Sequence, residues 1–194
     1  KTTTAKLVLR LEEPTAGFLR FDGADTNTIT GCSIRYVNAN NFGVFFDNAA
    51  DANVIRFSTI TTTAWMGLHI QNSSGNVVTD SYIEGGSSLW VLGSTNTVVG
   101  GSFLKAPSAS GNGLPAGGNV NLDVSSSIII GGVDGAGVYL DEGSAGLMRL
   151  STNTITGGYA VRVATQASGA ALWLTSNTIV GLIDWGDFRA GVYI

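Results

Sequence analysis

Charged side chains are scarce in this chain. Lys, Arg, Asp and Glu make up 12% of its 194 residues, against roughly 25% in a typical globular protein. The surface must therefore consist largely of Thr, Ser, Asn and Gly, and the chain contains 27 glycines. The net charge of -4 and the scattered basic residues argue against binding to nucleic acid or an anionic membrane. We expect neither partner.

Cysteine and long apolar runs are also nearly absent. Cys32 is the only cysteine, which excludes an internal disulfide, and the sequence shows no zinc-ligand cluster. No run reaches the roughly 18 apolar residues of a membrane span, and residues 1–6 lack the apolar core of a signal peptide. We predict a single domain over residues 1–194, with no membrane insertion, metal or cofactor.

A short phrase recurs seven times. It consists of Asn or a substitute, an apolar residue two places later, and a small turn pair soon after. We call it the Asn phrase, and its copies start at Asn27, Asn53, Asn76, Asn96, Ser127, Asn153 and Asn177. They lie 26, 23, 20, 31, 26 and 24 residues apart. Because β-branched residues fill each copy, this period predicts a solenoid of strands.

A second phrase, which we call the strand phrase, alternates with the first and has apolar residues at its first and third places. Its copies start at Leu19, Val44, Leu68, Trp90, Val120, Val138, Val161 and Val192. In a strand these two side chains share one face, which we assign to the core. The Asn phrase adds inward residues at Ile29, Ile55, Val78, Val98, Ile129, Ile155 and Ile179. A third inward position is held by Ile34, Ile60, Ile83 and Phe103.

The pattern predicts coils of three short strands, stacked at about 4.8 Å per coil. Asn tolerates the left-handed backbone conformation, and its amide can bond the matching amide one coil away. We therefore predict a structural Asn ladder along one bend rather than a catalytic set. Residues 105–118 lie in the widest gap between copies and are predicted to form an insertion loop.

The two phrases resemble those of the right-handed parallel β-helix, or pectate-lyase-like, superfamily. It includes pectinolytic enzymes, alginate epimerases, and the tailspikes and fibres of bacteriophages. The resemblance covers almost the whole chain and implies an all-β right-handed parallel β-helix of about seven coils. Members commonly cap the open ends of the solenoid, and neither end of this sequence looks capped. We therefore expect the chain to be part of a longer one, or to be closed by partner subunits.

The resemblance implies two kinds of catalytic set, and neither is found here. Lyases of the superfamily combine a calcium-binding acidic cluster with a basic residue, and polygalacturonase-type members combine several Asp with a His-containing segment. The candidate catalytic residues are the acids that follow the strand phrase, namely Asp22, Asp47, Asp123 and Asp141. As the pairs Asp22/Asp47 and Asp123/Asp141 on adjacent coils, they would fall within the roughly 5–9.5 Å that glycosidases use. Asp at a strand end also stabilises turns.

The outward places of the strand phrase carry aromatic and polar residues. They are predicted to be Arg20, Phe45, His69, Val91, Asn121, Tyr139, Arg162 and Tyr193. Such a strip suits sugar rings, which stack on aromatics and hydrogen-bond to polar groups, although packing beneath a neighbouring subunit explains it equally well. The isolated His69 is most simply a plain surface residue. Candidate glycan-binding residues are Phe45, His69, Tyr139, Arg162 and, near the chain end, Trp185.

The outward face of the Asn phrase is rich in β-branched residues and poor in charge. It predicts an interface with other copies of the chain, through Thr30, Thr79, Val99, Ile130, Thr156 and Val180. Resemblance to tailspikes implies a homotrimer. We expect a structural and adhesive module of a virion or extracellular fibre that binds a host polysaccharide or lipopolysaccharide. The alternatives are a polysaccharide-degrading enzyme and a passive spacer of a particle.

Overall fold

The chain winds as a solenoid of parallel strands. The computed structural model describes residues 19–23, 26–37, 42–63, 65–141, 143–164, 169–182 and 191–193. Within these ranges the strands form three sheets, and every pairing between strands is parallel. No helix in the described part is long and apolar enough to cross a membrane. The predicted all-β solenoid with three strands per coil is confirmed.

Each coil contributes one strand to each sheet. Sheet A contains β1 (Leu19–Asp22), β4 (Phe42–Asp47), β7 (Met66–Gln71), β10 (Ser87–Leu92), β13 (Leu114–Gly117), β16 (Ala136–Leu140), β19 (Tyr159–Val163) and β22 (Val192–Tyr193). Sheet B contains β2 (Thr28–Thr30), β5 (Val54–Arg56), β8 (Val77–Thr79), β11 (Thr97–Gly100), β14 (Asn119–Ser125), β17 (Ala145–Ser151) and β20 (Ala170–Thr175). Sheet C contains β3 (Ser33–Tyr36), β6 (Thr59–Thr62), β9 (Tyr82–Glu84), β12 (Phe103–Lys105), β15 (Ile128–Ile130), β18 (Thr154–Gly157) and β21 (Thr178–Gly181).

The core lies inside the three sheets, as columns of apolar side chains that stack from coil to coil. The most regular column belongs to sheet C and contains Ile34, Ile60, Ile83, Leu104, Ile129, Ile155 and Ile179. Ile60, Ile83 and Ile129 have no exposed surface. Burying one such side chain contributes about 1.5–3 kcal/mol, so the repeated column is a major source of stability.

Two hydrogen-bond ladders fix the corners, where a single one was predicted. Asn27 and Asn53 donate their backbone N–H groups to the Asn53 and Asn76 side chains, both at 2.9 Å, on the corner before sheet B. The second ladder lies before sheet C, where Ser58 is followed coil by coil by Ser81, Ser102, Ser127, Asn153 and Asn177. The first copies of the Asn phrase thus lie before sheet B, and the copies from Ser127 onward lie before sheet C. The change is possible because Ser and Asn side-chain oxygens accept the same backbone N–H.

The change of corner corrects the predicted insertion loop. Residues 114–117 are not loop but strand β13, whose Leu114 and Ala116 are fully buried. The irregular part is bound to the next coil, since Gly132 and Asp134 donate their N–H groups to the Gly111 and Ala109 carbonyls at 2.8 Å. The 31-residue spacing between Asn96 and Ser127 is long because the phrase moves from the corner before sheet B to the corner before sheet C, so one additional strand lies between the two copies.

The Asn96 copy of the Asn phrase is displaced by a single residue. Asn96 itself takes the left-handed conformation, with φ of 52°, whereas in the Asn153 copy Thr152, the residue before the ladder Asn, takes it. As a result Val99, and not the predicted Val98, faces the core. Because side chains alternate along a strand, a slip of one residue exchanges the two faces.

The third inward column slips in the same coil. Leu104 takes the inward place that was predicted for Phe103, which instead lies outside against Tyr82.

Candidate functional site

The outer face of sheet A carries one continuous row of side chains. Paired residues in successive strands place Arg20, Phe45, His69, Trp90, Pro115, Tyr139 and Arg162 in this row. We call it the sheet A row. Two predicted members are wrong, because Val91 is fully buried and Asn121 belongs to β14 of sheet B. Trp90 and Pro115 hold those places. Aligning Leu68-His69-Ile70 with Leu89-Trp90-Val91 would have found Trp90 from the sequence.

The first half of the row is an aromatic stack covered by two further rings. His69 lies parallel to Phe45, with centroids 4.8 Å apart, and 5.4 Å from Trp90. Phe42 stacks on Phe45 at 4.7 Å and on Trp65 at 5.2 Å. As a result Phe45 is only 9% exposed and His69 only 6%, whereas Trp65 is 49% exposed. The ring that this half offers to solvent is therefore Trp65.

His69 is a buried neutral imidazole and not the plain surface residue that was predicted. Within the described part of the chain, neither of its ring nitrogens has a hydrogen-bond partner, and the buried indole nitrogen of Trp90 lacks one too. Burial lowers the pKa of His69 from 6.5 to about 4, and the negative charge of Asp47 opposes this shift only in part. Above pH 6.5 the stack therefore carries no charge at this position.

The second half of the row exposes a cation between two tyrosines. The guanidinium carbon of Arg162 lies 5.4 Å from the ring centroids of both Tyr139 and Tyr159. The Tyr139 hydroxyl donates a hydrogen bond to Asp141 at 3.3 Å. Arg162 is exposed, and it forms no ion pair among the described residues. Its N–H donors are available because a cation–π contact does not use them.

The two predicted carboxylate pairs have different outcomes. Asp22 and Asp47 are adjacent in register, and the Nη2 atom of Arg20 lies 3.2 Å from the first and 2.9 Å from the second. Asn48 also donates to both carboxylates, at 3.1 and 3.2 Å. This cluster is a satisfied ion-pair network at the edge of the sheet A row.

The pair Asp123/Asp141 does not exist. Asp123 lies on sheet B, where Arg149 binds it at 3.2 Å, and Asp141 follows β16 of sheet A. The cause is the change of corner, because β13 takes the sheet A place that was assigned to Val120 and its neighbours.

A comparison with protein families agrees with this geometry. The family model for the right handed beta helix region matches residues 17–180. The chain belongs to the right-handed β-helix family. A search of curated proteins found no match. The predicted β-helix superfamily is confirmed, whereas membership among tailspikes or fibres stays a prediction.

The predicted interface residues of the β-helix do not share one face. Thr30 and Thr79 point outward from sheet B. Val99 is fully buried and belongs to the core, for the reason given above. The other three lie on sheet C, namely Ile130, Thr156 and Val180. The exposed apolar part of this group, together with Ile128, is therefore on sheet C.

Sheet C of the β-helix also carries a polar cluster that the sequence phrases did not indicate. Tyr82 donates its hydroxyl to Glu84, which Lys105 binds at 3.2 Å. Burial and this bond raise the pKa of Tyr82 to about 12, and the same bond is the largest cause of a lowered pKa at Glu84. The cluster is satisfied internally and offers no free catalytic group.

Two further predicted features of the β-helix bear on the site. Trp185 lies outside the described residues. Within them, no group of three or more His, Cys, Asp or Glu side chains is placed to hold a metal ion.

Proposed function

We propose that this β-helix is a structural and adhesive module that binds a polysaccharide along the outer face of sheet A. The observation that carries the proposal is the outer face of sheet A, where Trp65 is exposed beside the aromatic stack and, further along the solenoid, the exposed Arg162 guanidinium lies against Tyr139 and Tyr159. Aromatic faces stack on the apolar faces of sugar rings, and guanidinium N–H groups donate to sugar oxygens or anionic substituents. The β-helix holds both kinds of group on a rigid surface.

The dimensions of the row favour a chain of sugars over a single one. Trp65 and Tyr139 are separated by three strand spacings, from β7 to β16, or about 14 Å at 4.8 Å per strand. Trp65 and the cluster of Tyr139, Tyr159 and Arg162 therefore form two contact points at different heights along the solenoid axis. A host polysaccharide or lipopolysaccharide is the proposed partner, which places the protein in a virion or outside the cell.

The proposed assembly is a homotrimer, as the likeness to tailspikes implies. The outer face of sheet C supports a contact between copies, because Ile128 and Val180 are exposed and Ile130 shares the strand of the first and, through Thr156, the register of the second. An apolar sheet face of this kind is stabilised when a neighbouring subunit covers it. Contact through sheet C leaves the sheet A row free for a ligand.

A hydrolase is the second candidate, because Asp22 and Asp47 lie on adjacent coils. In a glycosidase the two carboxyl groups flank the scissile bond. Here the Arg20 guanidinium lies between them and bonds to both. It occupies the space that the bond would need. The adhesive function is therefore favoured, and release of oligosaccharides that is abolished by Asp47→Asn would support the hydrolase instead.

Binding to immobilised bacterial polysaccharides and lipopolysaccharides tests the proposal. We expect the chain to bind at least one of them, and Trp65→Ala and Tyr139→Ala each to weaken that binding about tenfold, since stacking on one aromatic ring is worth about 1 kcal/mol or more. Phe57→Ala is the matched control, because Phe57 is an exposed aromatic residue at the corner between sheets B and C. No binding across the panel would leave only the passive spacer.

A further inference from the structure

Trp173 is an exposed tryptophan on a face that the proposed function does not use. It lies in β20 on the outside of sheet B, where its side chain is 60% exposed. Tryptophan is highly buried on average, because its large apolar surface is costly to leave in water. An indole held on a rigid sheet and left this exposed is a candidate platform for a ligand.

Two charged side chains continue the line of Trp173 across sheet B. Asp123, Arg149 and Trp173 are paired in register on β14, β17 and β20. The Arg149 guanidinium carbon lies 5.4 Å from the Trp173 ring centroid, and its Nη1 atom lies 3.2 Å from the Asp123 carboxylate. We call these three residues the Trp173 site. Its members are fixed relative to one another by both contacts.

The polar part of the Trp173 site offers donors and acceptors without net charge. Arg149 has five N–H groups, and Asp123 has two oxygens with several lone pairs, of which their ion pair uses only a part. The hydroxyl-bearing Ser151 and Thr175 lie in register two residues further along β17 and β20, on the same outward side. The small and exposed Ala171 lies two residues before Trp173 on the same outward side.

We propose that the Trp173 site binds an uncharged sugar residue, as a second carbohydrate site separate from the sheet A row. The sugar ring stacks on the indole, and its hydroxyls donate to Asp123 and accept from Arg149. A hydroxyl is both donor and acceptor, so this pair matches it. An anionic sugar fits less well, because the Arg149 charge is already neutralised by Asp123.

The three residues of the Trp173 site contribute little to the stability of the fold. The ion pair is exposed on both sides, at 44% and 51%, and exposed pairs contribute little. An exposed cation–π contact is similarly weak. We therefore expect Trp173→Ala to leave the melting temperature almost unchanged, so a loss of binding in this variant reports on the ligand and not on unfolding.

The test follows the indole N–H signals by NMR during titration with neutral oligosaccharides of glucose, galactose, mannose and N-acetylglucosamine. Variants identify the Trp173 signal. We expect one of these sugars to shift it, Trp173→Ala to weaken binding of that sugar at least tenfold, and Asp123→Asn to weaken it about tenfold. Phe57→Ala is the matched control and should leave this titration unchanged, because Phe57 is an exposed aromatic residue that belongs to neither proposed site.

The outcomes separate this site from the proposed function. If no neutral oligosaccharide shifts the Trp173 signal, the Trp173 site is contradicted, whether or not polysaccharide binds at sheet A. If Trp65→Ala abolishes the titration and Trp173→Ala does not, sheet A is the only site and the inference is wrong. Binding that Trp173→Ala removes in a chain without sheet A binding supports the inference and contradicts the proposed function.

Discussion

At the scale of single residues, His69 couples the stability of the protein to pH. Its imidazole is buried in the aromatic stack with neither nitrogen bonded, so the folded state holds it neutral. The charge that acts on it is that of Asp47, which favours protonation and is itself paired with Arg20. Burial dominates, and the pKa falls to about 4.

The sign of the effect follows from linkage between protonation and folding. Because the pKa of His69 is lower in the folded state, its contribution is fully present above pH 6.5 and is lost as pH falls towards 4. The free energy of unfolding should fall by about 3 kcal/mol over this range on account of His69 alone. Urea unfolding of the wild type and of His69→Phe at pH 8 and pH 4.5 measures it.

We expect His69→Phe to gain stability over the wild type at pH 4.5 but little at pH 8, because phenylalanine fills the same stack without a titrating group. Protonation of the carboxyl groups changes the free energy of unfolding of both proteins equally, so it cancels when the two are compared at the same pH. An equal difference at the two pH values would show that His69 is not buried as described.

At the scale of elements, strand β7 requires glycine near its start, just after the corner from sheet C. A methyl group added at Gly67 would lie 2.6 Å from the Ile83 Cγ2 atom and 2.8 Å from the Ser88 carbonyl oxygen. Neither neighbour can withdraw, because Ile83 belongs to the core column and Ser88 to the next strand. We expect Gly67→Ala to lower the free energy of unfolding by about 1–3 kcal/mol or more, since overpacking forces strain.

Gly100→Ala is the control for this prediction. A methyl group there would meet nothing nearer than 3.7 Å, so the substitution should cost less than about 1 kcal/mol. Equal losses in the two variants, measured by urea unfolding, would contradict the packing of this corner.

The strands also show how far sequence can determine this structure. The strand phrase located every sheet A strand but β13, because apolar alternation is enforced by the core. It was misaligned by one residue at Trp90, where alignment with Leu68-His69-Ile70 gives the correct register. The Asn phrase could not place Val98 and Val99, because both residues are apolar and only the turn decides which one faces inward. Asn and Ser make equivalent ladder bonds, so the sequence did not reveal the change of corner. For the same reason it did not reveal that Asp123 and Asp141 lie on different sheets.

The sequence predicted which side chains point outward only where the strand follows the strand phrase. Tyr139 and Arg162 were assigned to the outer face because their strand is regular. The burial of Phe45 and His69 was missed because Phe42, at the start of β4, and Trp65, just before β7, lie outside the strand phrase. The grouping of Trp173 with Arg149 and Asp123 could not be read from the sequence, since these two residues lie 24 and 50 residues earlier and meet it only through register.

At the scale of the whole molecule, the proposed homotrimer gives a solution mass that can be measured. Covering the apolar outer face of sheet C should hold copies together, and a charge placed there should separate them. We expect sedimentation equilibrium to give three times the chain mass for the wild type and one chain mass for Ile128→Asp. Thr28→Asp, on the outside of sheet B, should leave the assembly intact. A monomeric wild type would refute the trimer for this chain.

The central claim is that sheet A of this β-helix is a polysaccharide-binding face. The most direct measurement is an NMR map of the signals that change when a polysaccharide fragment identified by the binding panel is added. We expect the largest changes at Trp65, Tyr139, Tyr159 and Arg162, which lie along the outer face of sheet A. Changes confined to the outer faces of sheets B and C, with the sheet A row unaffected, would contradict it.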